Sequence, residues 1–131
     1  MKYLLDTNIC IALLNGKDQG LLKGLKKYSP DDFVLCSIVK AELIYGAKKS
    51  QARTKNEQKL KVFFNEFVSL SFDDEAAQIY GELRAYLENS GKMIGGHDLL
   101  IAAIAVAHDL VLVTRNTKEF SRIASLKLEN W

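Results

Sequence analysis

Asp6, Glu42 and Asp98 are the residues of this chain whose type and placement could do chemistry. Asp6 follows Tyr3-Leu4-Leu5, an apolar run without alternation that reads as a strand buried on both faces, so Asp6, Thr7 and Asn8 lie at its carboxyl end. In open α/β sheets that edge is where ligands bind. Glu42 sits in a helical segment, Ile38 to Lys48, where the spacing puts it on one face with Ile38, Ala41 and Tyr45. Before Lys48 its only charged neighbour is Lys40, two residues away and off to the side. A carboxylate in an apolar stripe costs on the order of several kcal/mol unless it is paired, so Glu42 requires a cation from elsewhere, whether a distant Lys or Arg or a bound ion. Asp98 opens the stretch Leu99 to Ala107, which is apolar on every side and therefore a central helix. Its first turn must then open at a buried or cleft position, and Gly95 and Gly96 ahead of it are expected to let the chain approach closely.

Acids placed at strand ends and adjoining helices of a parallel sheet are brought to one edge, where like charges repel. Hard oxygen donors, with no Cys ligand and no His pair at ligand spacing, favour Mg²⁺ or Mn²⁺, which bind through one or two carboxylates and keep several waters. Such an ion activates water and offsets charge on a phosphate, so metal-assisted phosphodiester hydrolysis is the chemistry that fits. For Asp6 alone, capping of the next helix would be the simpler explanation.

The elements that must position these acids can be read from the spacing. Asn8 can cap a helix carrying Ile9, Ile11, Ala12, Leu13 and Leu14 that Gly16 ends, and Asp18 begins a second with Leu21, Leu22 and Leu25 inward. After the Ser29-Pro30-Asp31-Asp32 turn, Phe33 to Cys36 form a second buried strand, expected beside the first, and Ser37 begins the helix of Glu42. Strand followed by helix indicates a parallel sheet with crossovers. Leu60, Phe63, Phe64 and Phe67 are core at helical spacing, and Val68, Leu70 and Phe72 alternate as a half-buried edge strand. Asp73 and Asp74 cap a long helix with Ala76, Tyr80, Leu83 and Leu87 on one face, closed by Gly91. Leu110 to Val113 form another buried strand, and its polar end, Thr114 to Thr117, should face the same cleft as Asp6. Phe120 and Ile123 anchor a short turn, and Leu126, Leu128 and Trp131 a last strand or tail.

Composition narrows the class. The 131 residues suit one domain, 1–131, and 48% hydrophobic with 26% charged residues is ordinary for a globular chain. Asp6 arrives before any signal-peptide core could form and Leu99 to Ala107 is too short to span a bilayer, so a cytoplasmic protein without a membrane segment is expected. Cys10 and Cys36 lie in apolar segments and read as buried free thiols. A net charge of +2 says little, but Lys48, Lys49, Arg53, Lys55, Lys59 and Lys61 are six basic residues in fourteen. That concentration is either a solvated helix surface or a contact for phosphate backbones. His97 beside Asp98 reads as a cap neighbour or phosphate contact ahead of an acid-base role, and His108 as a residue favoured near a helix end.

LLDTN at Asp6, AEL around Glu42, GGHDLLIAA around Asp98, VTRNTKEF after the fourth strand and the terminal LENW together resemble the PIN-domain ribonucleases, and within them the VapC-type toxins of bacterial toxin-antitoxin pairs. The resemblance covers essentially the whole chain. It implies a three-layer α/β/α domain whose parallel sheet has the order 3-2-1-4-5, a catalytic and metal site of Asp6, Glu42 and Asp98 holding Mg²⁺ or Mn²⁺, and endonuclease action on RNA, with transfer RNA suggested. It implies also a homodimer and an inhibitory antitoxin partner. Thr7, Asn8, Thr114 and Asn116 would support the acids, and Lys48, Lys49, Arg53, His97 and Arg115 would contact RNA. Many members carry a fourth acid after the fourth strand where this chain has Asn116, an amide that brings no charge; Glu119, one turn on, could partly substitute.

Other functions are set apart by single positions. A haloacid-dehalogenase-like phosphatase needs a second Asp two residues after the first, and that position is Asn8; a receiver-like module needs an acidic neighbour that Asp6 lacks. A non-catalytic module binding RNA or a partner protein is the alternative from another class, with Asn116 as its sign. Chelator-sensitive RNA cleavage separates it from the enzyme.

Overall fold

The computed structural model describes residues 1–131. Its strands are β1 (Tyr3–Leu5), β2 (Phe33–Cys36), β3 (Val68–Leu70), β4 (Val111–Val113) and β5 (Lys127–Glu129), all parallel, in the order β3-β2-β1-β4-β5. The helices are α1 (Thr7–Asn15), α2 (Gln19–Lys26), α3 (Ser37–Lys49), α4 (Arg53–Phe64), α5 (Asp74–Asn89), α6 (Gly96–Ala107) and α7 (Thr117–Phe120). They cover both faces of the sheet, giving the three-layer α/β/α arrangement. Parallel strands require a crossover between neighbours, and the helices supply it.

Every residue of β1 and β2 is buried, as expected for strands covered on both faces. Beneath them lies α6, with Leu99, Ile101, Ala102, Ala103, Ile104 and Ala105 all buried, which accounts for its unbroken apolar sequence. An aromatic group of Tyr3, Tyr28, Phe33 and Trp131 closes one side of the sheet, with the Tyr28 and Trp131 rings stacked 5.2 Å apart. Cys10 and Cys36 are free and buried. No helix is long and apolar enough to cross a membrane.

Three local expectations need correction. Asp6, and not Asn8, caps α1, its side chain accepting the Ile9 amide. The buried face of α3 is Val39, Leu43 and Ala47, whereas Ala41 and Tyr45 are exposed. Both faces have helical spacing, and β2 runs into α3 without a loop, so the strand sets which face turns inward. Val68 is 61% exposed, because it opens β3 at the sheet edge, whereas Leu70 and Phe72 are partly buried against the core as expected. The cap at Asp73 stands as expected, its carboxylate taking the Ala76 amide at 2.9 Å.

Gly16 ends α1 at φ 66°, its amide donating to the Ala12 and Leu13 carbonyls. Nothing lies within 4 Å of where a Cβ would stand there, so a side chain would meet only the backbone cost of the left-handed conformation. Gly16→Ala is expected to lower stability by about 1–2 kcal/mol with an unchanged m-value, measured by urea unfolding.

Candidate active site

Asp6 lies where β1 ends, its amide bonded to the Val113 carbonyl of the neighbouring β4 at 3.2 Å. Its side chain is almost wholly buried, with 5% of the residue exposed. One oxygen accepts the Ile9 amide at 2.9 Å, and the carboxylate also receives the hydroxyl of Thr114. Capping and site membership are therefore the same interaction: the first turn of α1 fixes the carboxylate at the sheet edge. Thr114 is completely buried, and its hydroxyl oxygen accepts the Asn116 amide at 3.0 Å, so it ties the end of β4 to Asp6.

Glu42 reaches the same edge from α3. Thr7, the first residue of α1, donates its hydroxyl to Glu42 Oε1 at 2.7 Å, and His97 Nδ1 lies 3.5 Å from Oε2. The Glu42 side chain is 30% exposed, so it belongs to a cleft wall and not to an apolar core. Neither partner is a Lys or Arg, and the distant salt bridge that could have neutralised Glu42 is not formed.

Asp98, in the first turn of α6, completes the group. Burial, followed by the charges of Glu119, Glu42 and Asp6, pushes its carboxyl up to about 6. Asp6 is likewise raised, first by burial and then by Glu42, against the lowering effect of its Thr114 and Ile9 hydrogen bonds. A Cβ at Gly95 would stand 3.5 Å from Asp98 Oδ2, and one at Gly96 would meet nothing within 4 Å, so the expected close approach at these glycines does not occur.

Glu119 is thus brought beside Asp98, and Asn116 is not a passive replacement for an acid. Its Nδ2 donates to Glu119 Oε2 at 2.9 Å, orienting that carboxylate toward the others. The sequence signal was there in the helical offset from Asn116, but only the turn of α7 shows which residue faces the cleft. Asn8 is exposed, and its side chain makes no hydrogen bond within the chain.

The basic residues sort differently in space than in sequence. Lys48 and Arg53 both bind Glu57, at 3.1 and 3.0 Å. Arg115 is held by Asp18 and the Trp131 carbonyl, although its charge still acts on Asp6. Lys49 stands over the exposed Tyr45 ring, 5.1 Å from its centre, and His97 is 69% exposed at the cleft mouth.

No three of these side chains close on a point that could enclose an ion. The donor set nevertheless suits a hard divalent cation, since Mg²⁺ needs only one or two carboxylates and completes its shell with water. The excess of negative charge, with raised carboxyl groups and no cation of the chain among them, is the feature that such an ion would relieve.

A sequence profile of the PIN domain matches residues 3–126. The ribonuclease VapC2 of Rickettsia felis is 42% identical, the alignment spanning 100% of this chain and 98% of that protein. The tRNA(fMet)-specific endonuclease VapC of Shigella flexneri is 35% identical, with coverage of 100% and 98%. Among solved structures, VapBC2 from Rickettsia felis bound to a promoter DNA fragment superimposes with a TM-score of 0.92 at 41% identity, covering 100% of this chain and 99% of that one. DNA-bound VapBC from Salmonella typhimurium gives 0.94 at 35% identity, covering 100% and 98%. With sheet order, acidic edge and full-length likeness in agreement, the chain belongs to the PIN-domain family, in its VapC group.

Proposed function

We propose that this chain is an endoribonuclease toxin that hydrolyses RNA phosphodiester bonds with Mg²⁺ or Mn²⁺ and is held in check by a cognate antitoxin. The observation that supports the reading most is the meeting of Asp6, Glu42, Asp98 and Glu119 at one sheet edge with two carboxyl groups raised. Asp6, Glu42 and Asp98 would hold the ion. When bound, it supplies Lewis-acid activation of water and offsets charge on the scissile phosphate. Asp6 is presented by its cap and by Thr114, Glu42 by Thr7, and Glu119 by Asn116, so the acids are oriented before any ligand arrives.

A route through internal attack by the ribose 2′-hydroxyl commonly relies on a pair of acid-base side chains. The histidines here are His97 in the first turn of α6 and His108 at its end, about 16 Å apart along the helix, too far to share one bond. Hydrolysis by water, leaving 5′-phosphate and 3′-hydroxyl ends, is the route these residues support. Transfer RNA is the proposed substrate class, because a relative of full-length similarity is named for tRNA(fMet). The antitoxin is proposed from the VapBC complexes among the structural relatives, and a groove of Ile11, Leu14, Leu43 and Leu60 that includes Glu42 offers it an apolar seat beside the acids. A homodimer acting in the cytoplasm belongs to the same proposal.

The non-catalytic alternative rests on Asn116; the Glu119 carboxylate that this amide holds supports the catalytic reading instead. Asp98→Asn, nearly isosteric, is expected to abolish RNA cleavage while preserving the circular dichroism spectrum, and chelator should silence the wild type. More than a few per cent residual activity from folded mutant, or 2′,3′-cyclic phosphate ends on mapping by ligation, would contradict the mechanism.

The raised Asp98 also makes stability depend on pH. Its folded pKa of about 6 exceeds the ordinary 3.8, so its proton stabilises the metal-free fold below that ordinary value, and the contribution is lost as pH rises through about 6. Urea midpoints in chelator should therefore fall across this window for the wild type and less so for Asp98→Asn. Near neutral pH, Mg²⁺ at a hundredfold excess over its Kd should restore about 2.7 kcal/mol to the wild type and less to the variant. Equal gains in both would remove Asp98 from the metal site.

Induced alone in a bacterial host, the wild-type chain is expected to arrest growth, and co-expression of the adjacent small antitoxin gene to relieve it. Growth curves of strains carrying wild type and Asp98→Asn decide this; unhindered growth with active enzyme present would rule out the toxin role.

A further inference from the structure

An acidic catalytic centre repels the polyanion it must cut, so phosphates flanking the scissile one need fixed cations of the protein close by. Of the four arginines, whose planar forks suit a phosphate best, three are already committed to carboxylates. Lys48 and Arg53 face Glu57, Arg84 faces Glu88, Arg115 faces Asp18 and Lys127 faces Asp109. Arg122 is the arginine without a carboxylate partner, and the Lys92 side chain makes neither an ion pair nor a hydrogen bond within the chain. These two meet in one cleft of about 500 Å³, lined by Gly91, Lys92, Ser121 and Arg122, with no hydrophobic or acidic group among them.

Hydrogen bonds of Arg122 tie the cleft to the two segments that carry Glu119 and Asp98. The Arg122 amide donates to the Glu119 carbonyl at 3.1 Å, placing the cleft one turn beyond Glu119. Arg122 Nη1 donates to the Met93 carbonyl at 2.8 Å, and Met93 lies five residues before Asp98. One guanidinium nitrogen is thereby fixed while the rest of the fork is unclaimed, so the cation is held in place yet still able to bind an anion. An RNA phosphate is the anion that the adjacent centre brings to this position.

Resting on the reading of the chain as a ribonuclease, we propose that the cleft formed by Gly91, Lys92, Ser121 and Arg122 is a subsite for an RNA backbone phosphate next to the one cleaved, with Lys92 and Arg122 as its cations. The contact is to backbone and carries no base preference. It holds the strand in register against the acids, and its loss acts on binding without regard to sequence.

The test measures binding of fluorescein-labelled single-stranded oligoribonucleotides to the Asp98→Asn protein by anisotropy over a series of KCl concentrations. Lys92→Ala and Arg122→Ala should each flatten the dependence of log K on log salt by about 0.7 and weaken oligonucleotides of different sequence to a similar degree. Arg122→Lys should keep the slope, which a purely structural Arg122 bridge to Met93 would not predict. Lys26→Ala, in a cavity beside Phe33 at the start of β2 and so at the opposite sheet edge, should change nothing. Lys92→Ala removes no hydrogen bond of the fold, so its slope is decisive even if Arg122→Ala is unstable. An unchanged slope in both alanine variants, with the parent binding RNA normally, would overturn the subsite and leave the ribonuclease reading intact. Failure of the parent to bind RNA would overturn both.

Discussion

Carboxylates that repel one another must be kept together at the carboxyl edge of the sheet, and much of the surrounding structure answers to that requirement. Three of the four acids are restrained by a neighbour that has little freedom of its own: Asp6 by the first turn of α1 and the buried Thr114, Glu42 by Thr7, and Glu119 by Asn116. These partners are neutral hydroxyl, amide and backbone N–H groups. They orient the acids without neutralising them, so the repulsion persists as the raised carboxyl groups of Asp6 and Asp98. A Lys or Arg in the same place would neutralise and relax the cluster.

The core is built to tolerate this. Because α6 is buried around most of its circumference, its start cannot shift to relieve Asp98 without disturbing Leu99, Ile101 and Ile104. β1 is paired on both sides, with β2 and β4, and cannot tilt Asp6 away. The favourable burial of these elements offsets the electrostatic cost at their ends, an arrangement typical of sites that bind charge.

Cations follow a complementary logic. The dense basic run of α3 and α4 is partly consumed by Glu57, whose carboxyl the neighbouring Lys48 and Arg53 hold below its usual range. Arg115 is close enough to act on Asp6, yet its guanidinium is bound to Asp18 and the Trp131 carbonyl. Positive charge is kept near the acids but off them, so the cluster stays anionic.

The order of strands and helices, the burial of Tyr3 to Leu5, Phe33 to Cys36 and the α6 stretch, and the acids Asp6, Glu42 and Asp98 were all legible in the sequence, because hydrophobic period and strand-end position report local geometry directly. Motif likeness supplied the sheet order, which periodicity cannot. Only the tertiary structure decided that Val39, Leu43 and Ala47 form the inner face of α3, since two helical faces of similar spacing compete and the join with β2 chooses between them. It also decided that Asp6 caps α1 from within the acidic edge, and that Glu119, presented by Asn116, stands beside Asp98. Which basic residues are spent on ion pairs was decided there too. Each of these depends on what another segment brings to within hydrogen-bonding distance, and pairing across the fold leaves no periodic trace in the chain itself.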